Sequence, residues 1–271
     1  MIEDAPGRID YDEHGSGPTV VLVPGSCSTG AAWRPVMAAW NGQFRCVTTS
    51  LLGYGNTVER RTEVDPSILH ETTALETVIR RAGGRVHLVG HSFGGLVALV
   101  LALDRQVPVA SLTIIEAPAV ELLRERGEDE HYRTFRQMSD TYFAEFRAAN
   151  KEAVARMIDF YGGAGTFASW PPKVRYYAVQ TTPVNILDWA SAYGFPLSAS
   201  SLATIDIPVL VIRGGSSPAA VQRANELVSQ CIPDARLVTV DGAAHFMIAT
   251  HAGEVARAVA QHIRDVEPAS T

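Results

Sequence analysis

The sequence predicts an α/β protein: a mostly parallel sheet with helices on both faces, interrupted by one helical insertion. Three observations predict it. Short apolar runs without alternation recur along the chain, as expected of strands buried on both faces. Segments with helical spacing lie between them. After Pro118, roughly eighty residues break this rhythm, too many for a loop.

The first strand is "TVVLVPG", Thr19 to Gly25, ending at Pro-Gly. "GAAWRPVMAAW", Gly30 to Trp40, can be helical, with Pro35 near its start. "FRCVTTS", Phe44 to Ser50, is a second strand, followed by the loop "LLGYGNT". Helical spacing covers Pro66 to Gly84, with Asp65 as the expected N-cap and glycines at the end. "RVHLVG", Arg85 to Gly90, is a third strand, and Ser92 to Gln106 is a helix too apolar for a surface. "VASLTIIE", Val109 to Glu116, is a fourth strand, with a carboxylate at its tip. The stretch 118–200 reads as a helical cap with an aromatic-rich, Pro-broken second half, inserted into a core formed by 1–117 and 201–271. Alternation resumes with a strand at Ile207–Gly215, a helix over "AAVQRANELVSQC", a strand at Ala235–Val240, the loop "DGAAHFM" and a final helix near Thr250–Val266.

Composition narrows the function. The chain has 271 residues, 46% of them hydrophobic, with a net charge of −6. The basic residues form no stripe, so no nucleic-acid partner is expected. The opening "MIEDAPGRID" lacks the apolar core of a signal peptide. The longest apolar run, Leu96–Leu103, is too short to span a bilayer, so no membrane partner is expected. Cys27, Cys46 and Cys231 are odd in number and far apart, which suits reduced thiols in a cytoplasm. No C-x-x-C or H-x-x-x-H spacing suggests a metal, and no cofactor is expected.

Between the third strand and its helix lies "GHSFGG", Gly90 to Gly95, which fits G-x-S-x-G. A strand-to-helix turn this tight needs residues without bulk beside the serine, and Gly90 and Gly94 provide that. Ser92 is then strained, with its hydroxyl at the C-terminal edge of the sheet, over a helix N-terminus that favours negative charge. A serine hydroxyl needs an adjacent base to act as a nucleophile. Of eight histidines, His245 in "DGAAHFM" follows the last strand and returns to that same edge. His91 is expected to point away, and His87 lies inside a strand. His14, His70 and His131 lie on polar segments, and His251 and His262 belong to the last helix.

"VLVPGS", "LLGYGNT", "LVGHSFGG", "IPVLVIRGG" and "GAAHF" resemble, in order and spacing, the α/β-hydrolase superfamily of the serine-nucleophile, cap-domain type. The resemblance implies an α/β-hydrolase fold with an eight-stranded-type sheet and a Ser, acid, His triad in chain order. The acid usually follows the strand placed at Ile207–Arg213, but that loop here reads "GGSSPAAV", with Ser216 and Ser217 where the acid would stand. Glu116 is the expected replacement. Its strand directly follows the Ser92 helix, so the two strands should be neighbours, about 4.8 Å apart. Some family members, including certain haloalkane dehalogenases, place their acid there. Asp241, four residues before His245, is the rival.

The resemblance further implies an oxyanion hole from two backbone N–H groups, Phe93 after the nucleophile and Ser26 after Pro24-Gly25, where the family often has His-Gly. Cys27 reads as a small loop residue, since nothing near it in sequence supplies a base. Trp33, Trp170, Trp189 and Phe246, with Phe167, Tyr176, Tyr177 and Phe195, are candidates to line an apolar pocket or to form the cap's own core. The expected function is hydrolysis of a small, partly apolar ester or lactone through an acyl-enzyme. Its rate should rise with pH through the histidine range near about 6.5. Carbon–carbon bond hydrolysis, acyl transfer and non-catalytic ligand binding are the alternatives. The partner is a small-molecule substrate, and monomer and homodimer both remain open.

Overall fold

The structure is a computed structural model in which residues 1–4 and 7–267 are described. Ala5, Pro6 and the last four residues of the 201–271 core segment lie outside them. The central sheet has seven strands in the order β3-β5-β4-β6-β7-β8-β9: β3 (Asp12–His14), β4 (Thr19–Val23), β5 (Arg45–Thr48), β6 (Val86–His91), β7 (Val109–Ile115), β8 (Val209–Gly214) and β9 (Ala235–Val240). Only the edge strand β3 runs antiparallel. A separate two-stranded ribbon pairs β1 (Ile2–Asp4) with β2 (Gly7–Ile9). Among the described residues the sheet thus has seven strands where an eight-stranded-type plan is expected. These three polar N-terminal strands carry no apolar run to announce them.

Successive side chains on each strand pack on opposite faces. Val20 and Leu22 of β4 join Val89, Ile115, Leu210 and Ile212 on one face. There they meet α1 (Arg34–Trp40) and α13 (Ala252–Val266). Val21 and Val23 join Leu88, Ile114 and Val211 on the other, under α2 (Leu69–Ala82), α3 (Phe93–Asp104) and α11 (Ala219–Cys231). Every residue of α3 from Phe93 to Ala102 is buried, as its composition requires. Between β7 and β8 the chain forms α4 (Val120–Glu125), α5 (Asp129–Arg147), α6 (Val154–Gly162), α7 (Thr166–Ser169), α8 (Pro172–Gln180), α9 (Thr182–Gly194) and α10 (Ala199–Leu202). The short α12 (Met247–Thr250) precedes α13.

Several boundaries differ from the sequence reading. Gly30–Trp33 is a 3₁₀ turn, and the α-helix begins only at Arg34, with Pro35 in its first turn. Helix α2 begins at Leu69, and Asp65 does not cap it: its carboxylate instead binds His70 Nε2 at 2.8 Å. The expected final helix near Thr250–Val266 is α13, which begins at Ala252, and the unexpected short α12 precedes it with His251 between the two.

The register sets the site. His91 of β6 pairs with Ile115 of β7, and Ile115 pairs with Ile212 of β8. The next residues, Ser92 and Glu116, therefore leave adjacent strands at one level. Each continues the ladder by one bond, Ser92 N–H to Ile115 O at 2.8 Å and Glu116 N–H to Ile212 O at 3.1 Å. Both then turn through positive φ, 55° at Ser92 and 49° at Glu116. That conformation is costly for residues with a Cβ, on the order of 1–3 kcal/mol each.

Candidate active site

The Ser92 turn closes because glycines let two backbones touch. A Cβ at Gly94 would strike the carbonyl oxygen of Pro24, and one at Gly90 would strike that of Gly94. One at Gly25 would lie 2.8 Å from Ser92 Cβ. The turn thus presses the loop after β4 against the serine.

Three side chains converge there. His245 Nε2 lies 2.9 Å from Ser92 Oγ, and His245 Nδ1 lies 2.7 Å from Glu116 Oε2. Glu116 is fully buried, and its other oxygen, Oε1, accepts the Gly214 N–H at 2.7 Å. A carboxylate held in this way accepts the Nδ1–H and leaves the Nε2 lone pair facing the hydroxyl. The residue that the sequence offered as rival, Asp241, is exposed at the turn after β9. Gly214 closes β8 just before the loop where the acid usually stands. The Ser217 hydroxyl in that loop is buried and has no hydrogen-bond partner among the described residues.

His91 does not simply point away. It is buried, and its Nε2–H donates to the carbonyl oxygen of His245 at 2.8 Å, with ring centroids 4.8 Å apart. Burial first, and His245 second, push the His91 imidazole down to about 3, so it stays neutral. Tyr161 from α6 stacks on His245: their ring centroids are 4.0 Å apart, with 29° between planes.

A cavity of about 180 Å³ opens onto Ser92. Its walls are mainly apolar, with Met157, Ile158, Tyr161, Trp170, Trp189 and Phe246 prominent. Of the aromatic candidates, Trp170, Trp189 and Phe246 border the cavity. Trp33 does not: it is fully buried with Val36 and Trp40 in the core under α1 and α13, because the 3₁₀ turn carries its ring there. Phe167 packs in the interior, Tyr176 is exposed, the Tyr177 hydroxyl accepts the Gly55 N–H, and Phe195 borders a separate cleft near Pro66.

Ser26 and Phe93 both border the cavity. Phe93 is the first residue of α3, where an N–H has no intrahelical partner. Among the described residues, neither the Phe93 nor the Ser26 amide donates to a protein acceptor. Cys27, next to them, has φ 57° and a thiol pushed up to about 12 by burial, with Asp188 adding to it. That keeps it a protonated loop residue.

The sequence reading missed a buried ionic cluster beside the cavity. Asp188 of α9 accepts the Ser26 hydroxyl and the Tyr54 hydroxyl on Oδ2, each at 2.6 Å, and binds Arg61 through Oδ1 at 2.8 Å. The Arg61 side chain is 0% exposed and also meets Glu71 at 3.3 Å and Glu59 at 2.8 Å. Its guanidinium carbon lies 5.8 Å from the Phe93 ring centroid. One cation among three carboxylates leaves one of them short of charge compensation. Burial, the largest cause, pushes Glu71 up to about 8 against the pull of Arg61. Among the described residues no group of three or more His, Cys, Asp or Glu side chains is placed to hold a metal ion, and no helix is long and apolar enough to cross a membrane.

Comparison with known proteins agrees with this fold. Residues 20–258 match the family model described as "Alpha/beta hydrolase family". The chain is 24% identical to a protein from Azorhizobium caulinodans named carbamate hydrolase RutD, over 252 residues that cover 87% of each chain. It superposes with a TM-score of 0.75 on a thermophilic esterase from Thermogutta terrifontis at 20% identity, covering 98% of this chain and 97% of the esterase. An N-acyl homoserine lactone degrading enzyme superposes with a TM-score of 0.73 at 19% identity, covering 94% of this chain and 98% of the other. At these identities the two structures speak for the fold alone.

Proposed function

The chain belongs to the α/β hydrolase family, and from its site we propose that it is a serine hydrolase cleaving a small, partly apolar carboxylic ester or lactone. The observation that carries this reading is the unbroken hydrogen-bond chain from Ser92 through His245 to Glu116, ending in an apolar cavity.

Ser92 Oγ attacks the substrate carbonyl while His245 Nε2 takes its proton. Glu116 holds the Nδ1–H and stabilises the imidazolium that forms. The developing oxyanion sits between the N–H groups of Phe93 and Ser26, where each donor is worth about 10²–10³ in rate. His245 then gives its proton to the leaving alkoxide, leaving an acyl-Ser92 ester. Water, deprotonated by His245, releases the acid and restores the hydroxyl. The helices between β7 and β8 act as a cap that sets substrate size, since Met157, Ile158, Trp170 and Trp189 are among the residues they contribute to the cavity wall.

A carbamate is a second substrate class. The relative with that name matches along 87% of this chain, and the same attack on a carbonyl applies. A panel of p-nitrophenyl esters of graded chain length, simple lactones and aryl carbamates tests the reading. Turnover of short esters or lactones, lost in Ser92→Ala, is expected. Turnover of carbamates alone would move the substrate assignment. Release from no member, or equal release by Ser92→Ala, would count against a serine hydrolase.

A further inference from the structure

The loop after β4 carries a donor of the proposed oxyanion hole, yet Pro24 stands where the family often has a histidine. Proline has no polar side chain to brace the loop. Two serine side chains nevertheless tie the loop. Ser28 Oγ donates to Gly25 O at 2.7 Å, within the loop itself. Ser26 Oγ donates to Asp188 Oδ2 at 2.6 Å, across 162 residues of sequence. The second tie is the only one of the two that reaches another element.

We propose that Asp188 is a positioning residue for catalysis: from α9 it grips the Ser26 hydroxyl and so fixes the aim of the Ser26 N–H at the reacting oxygen, with Arg61 as its buried counter-ion. The inference rests on the oxyanion reading of Ser26 and Phe93 above. Three observations support it. The Ser26–Asp188 and Tyr54–Asp188 separations of 2.6 Å suit hydroxyls bound to an ionised carboxylate. A bare carboxylate at the cavity wall would oppose an oxyanion. Arg61, wholly buried 2.8 Å from Asp188, offsets that field. The same guanidinium lies against the Phe93 ring, so one cation supports the residues carrying both donors. Asp188 is on the insertion, whereas Ser26 is on the core. Seating of the cap and completion of the oxyanion hole are therefore a single event.

The test is the second-order rate of phosphonylation of the purified full-length protein by a fluorophosphonate, read by intact mass, for wild type, Ser26→Ala, Ser26→Thr, Asp188→Asn and the Ser26→Ala/Asp188→Asn pair. Ser26→Ala keeps the backbone N–H but frees it, and should slow labelling by about 10–10², part of the value of one donor. Ser26→Thr restores a hydroxyl and should recover most of the rate. The double variant should be no slower than the slower single one, because both changes cut one tie. Ser26→Ala labelling at the wild-type rate, or losses that multiply in the pair, would overturn the inference while leaving the hydrolase reading intact. Should Asp188→Asn not fold, the Ser26→Ala and Ser26→Thr rates decide alone. Failure of the wild type to label would sink the hydrolase reading and this inference with it.

Discussion

The N–H of Gly214 donates to Glu116 Oε1 at 2.7 Å, so the end of β8 fixes a carboxylate that the loop after β8 does not supply. The adjacency follows from register, because β7 and β8 pair through Ile115 and Ile212. Moving the acid one strand toward the serine thus keeps it within reach of the same imidazole. A glutamate can end a buried apolar run here for a physical reason. Both of its oxygens are satisfied, one by a backbone donor and one by His245.

Glycine at 94 is required by contact rather than by φ. A methyl group there would enter the Pro24 carbonyl, so Gly94→Ala should lower stability by roughly 1–3 kcal/mol, the usual range for overpacking. It should also reduce ester turnover, since the displaced loop carries Ser26. Chemical denaturation and turnover of one ester check both effects.

Two tryptophans should behave oppositely. Trp33 is fully buried in the core under α1 and α13, outside the cavity wall, so Trp33→Leu should cost on the order of 2–4 kcal/mol and leave KM unchanged. Trp170, edge-on to Phe246 at 5.0 Å in the cavity wall, should do the reverse. Trp170→Ala should shift chain-length preference toward longer acyl groups with little change in stability. Denaturation midpoints and KM values across an ester series separate the two.

The Arg61 cluster predicts a pH signature of stability. Glu71 is raised from an ordinary 4.5 to about 8 in the fold. The folded chain therefore binds more protons than the unfolded one between those values. Stability from this group is full below 4.5 and is lost as pH rises through 8. Glu71→Gln, which stays neutral beside Arg61, Glu59 and Asp188, should flatten that decline. His91 acts in the other direction, being lowered from 6.5 to about 3. Its contribution is present above 6.5 and is lost as the solution is acidified toward 3. Thermal midpoints of wild type and Glu71→Gln between pH 4 and 9 check the sign. An unchanged slope in the variant would remove Glu71 as its source.

The apolar runs made β4 to β8 legible, because strands covered on both faces are largely apolar; β9, a partly exposed edge strand, was legible from its Leu-Val-Thr-Val run. The polar strands β1 to β3 lack that constraint. Ser92 and His245 were legible because glycines and small residues mark tight turns at strand ends. Arg61 was not, since "ERRTEVD" reads as a solvated charge run until Glu71 and Asp188 fold around it. Nor was Tyr161, whose place over His245 depends on how α6 packs. Trp33 misled because closeness in sequence to the Ser26 loop says nothing about which face of the sheet a ring enters.

The central claim is that Glu116 orients His245 for Ser92, and phosphonylation of Ser92 by a fluorophosphonate, timed by intact mass, tests it most directly. Wild type should gain one adduct on Ser92, and Ser92→Ala none. Glu116→Gln should fold, since its amide oxygen still accepts from Gly214, yet label up to ~10⁴ more slowly, the loss seen when a triad acid becomes its amide. Asp241→Asn should label as wild type does. A Glu116→Gln protein that labels at full speed, or an Asp241→Asn protein that does not, would contradict the account.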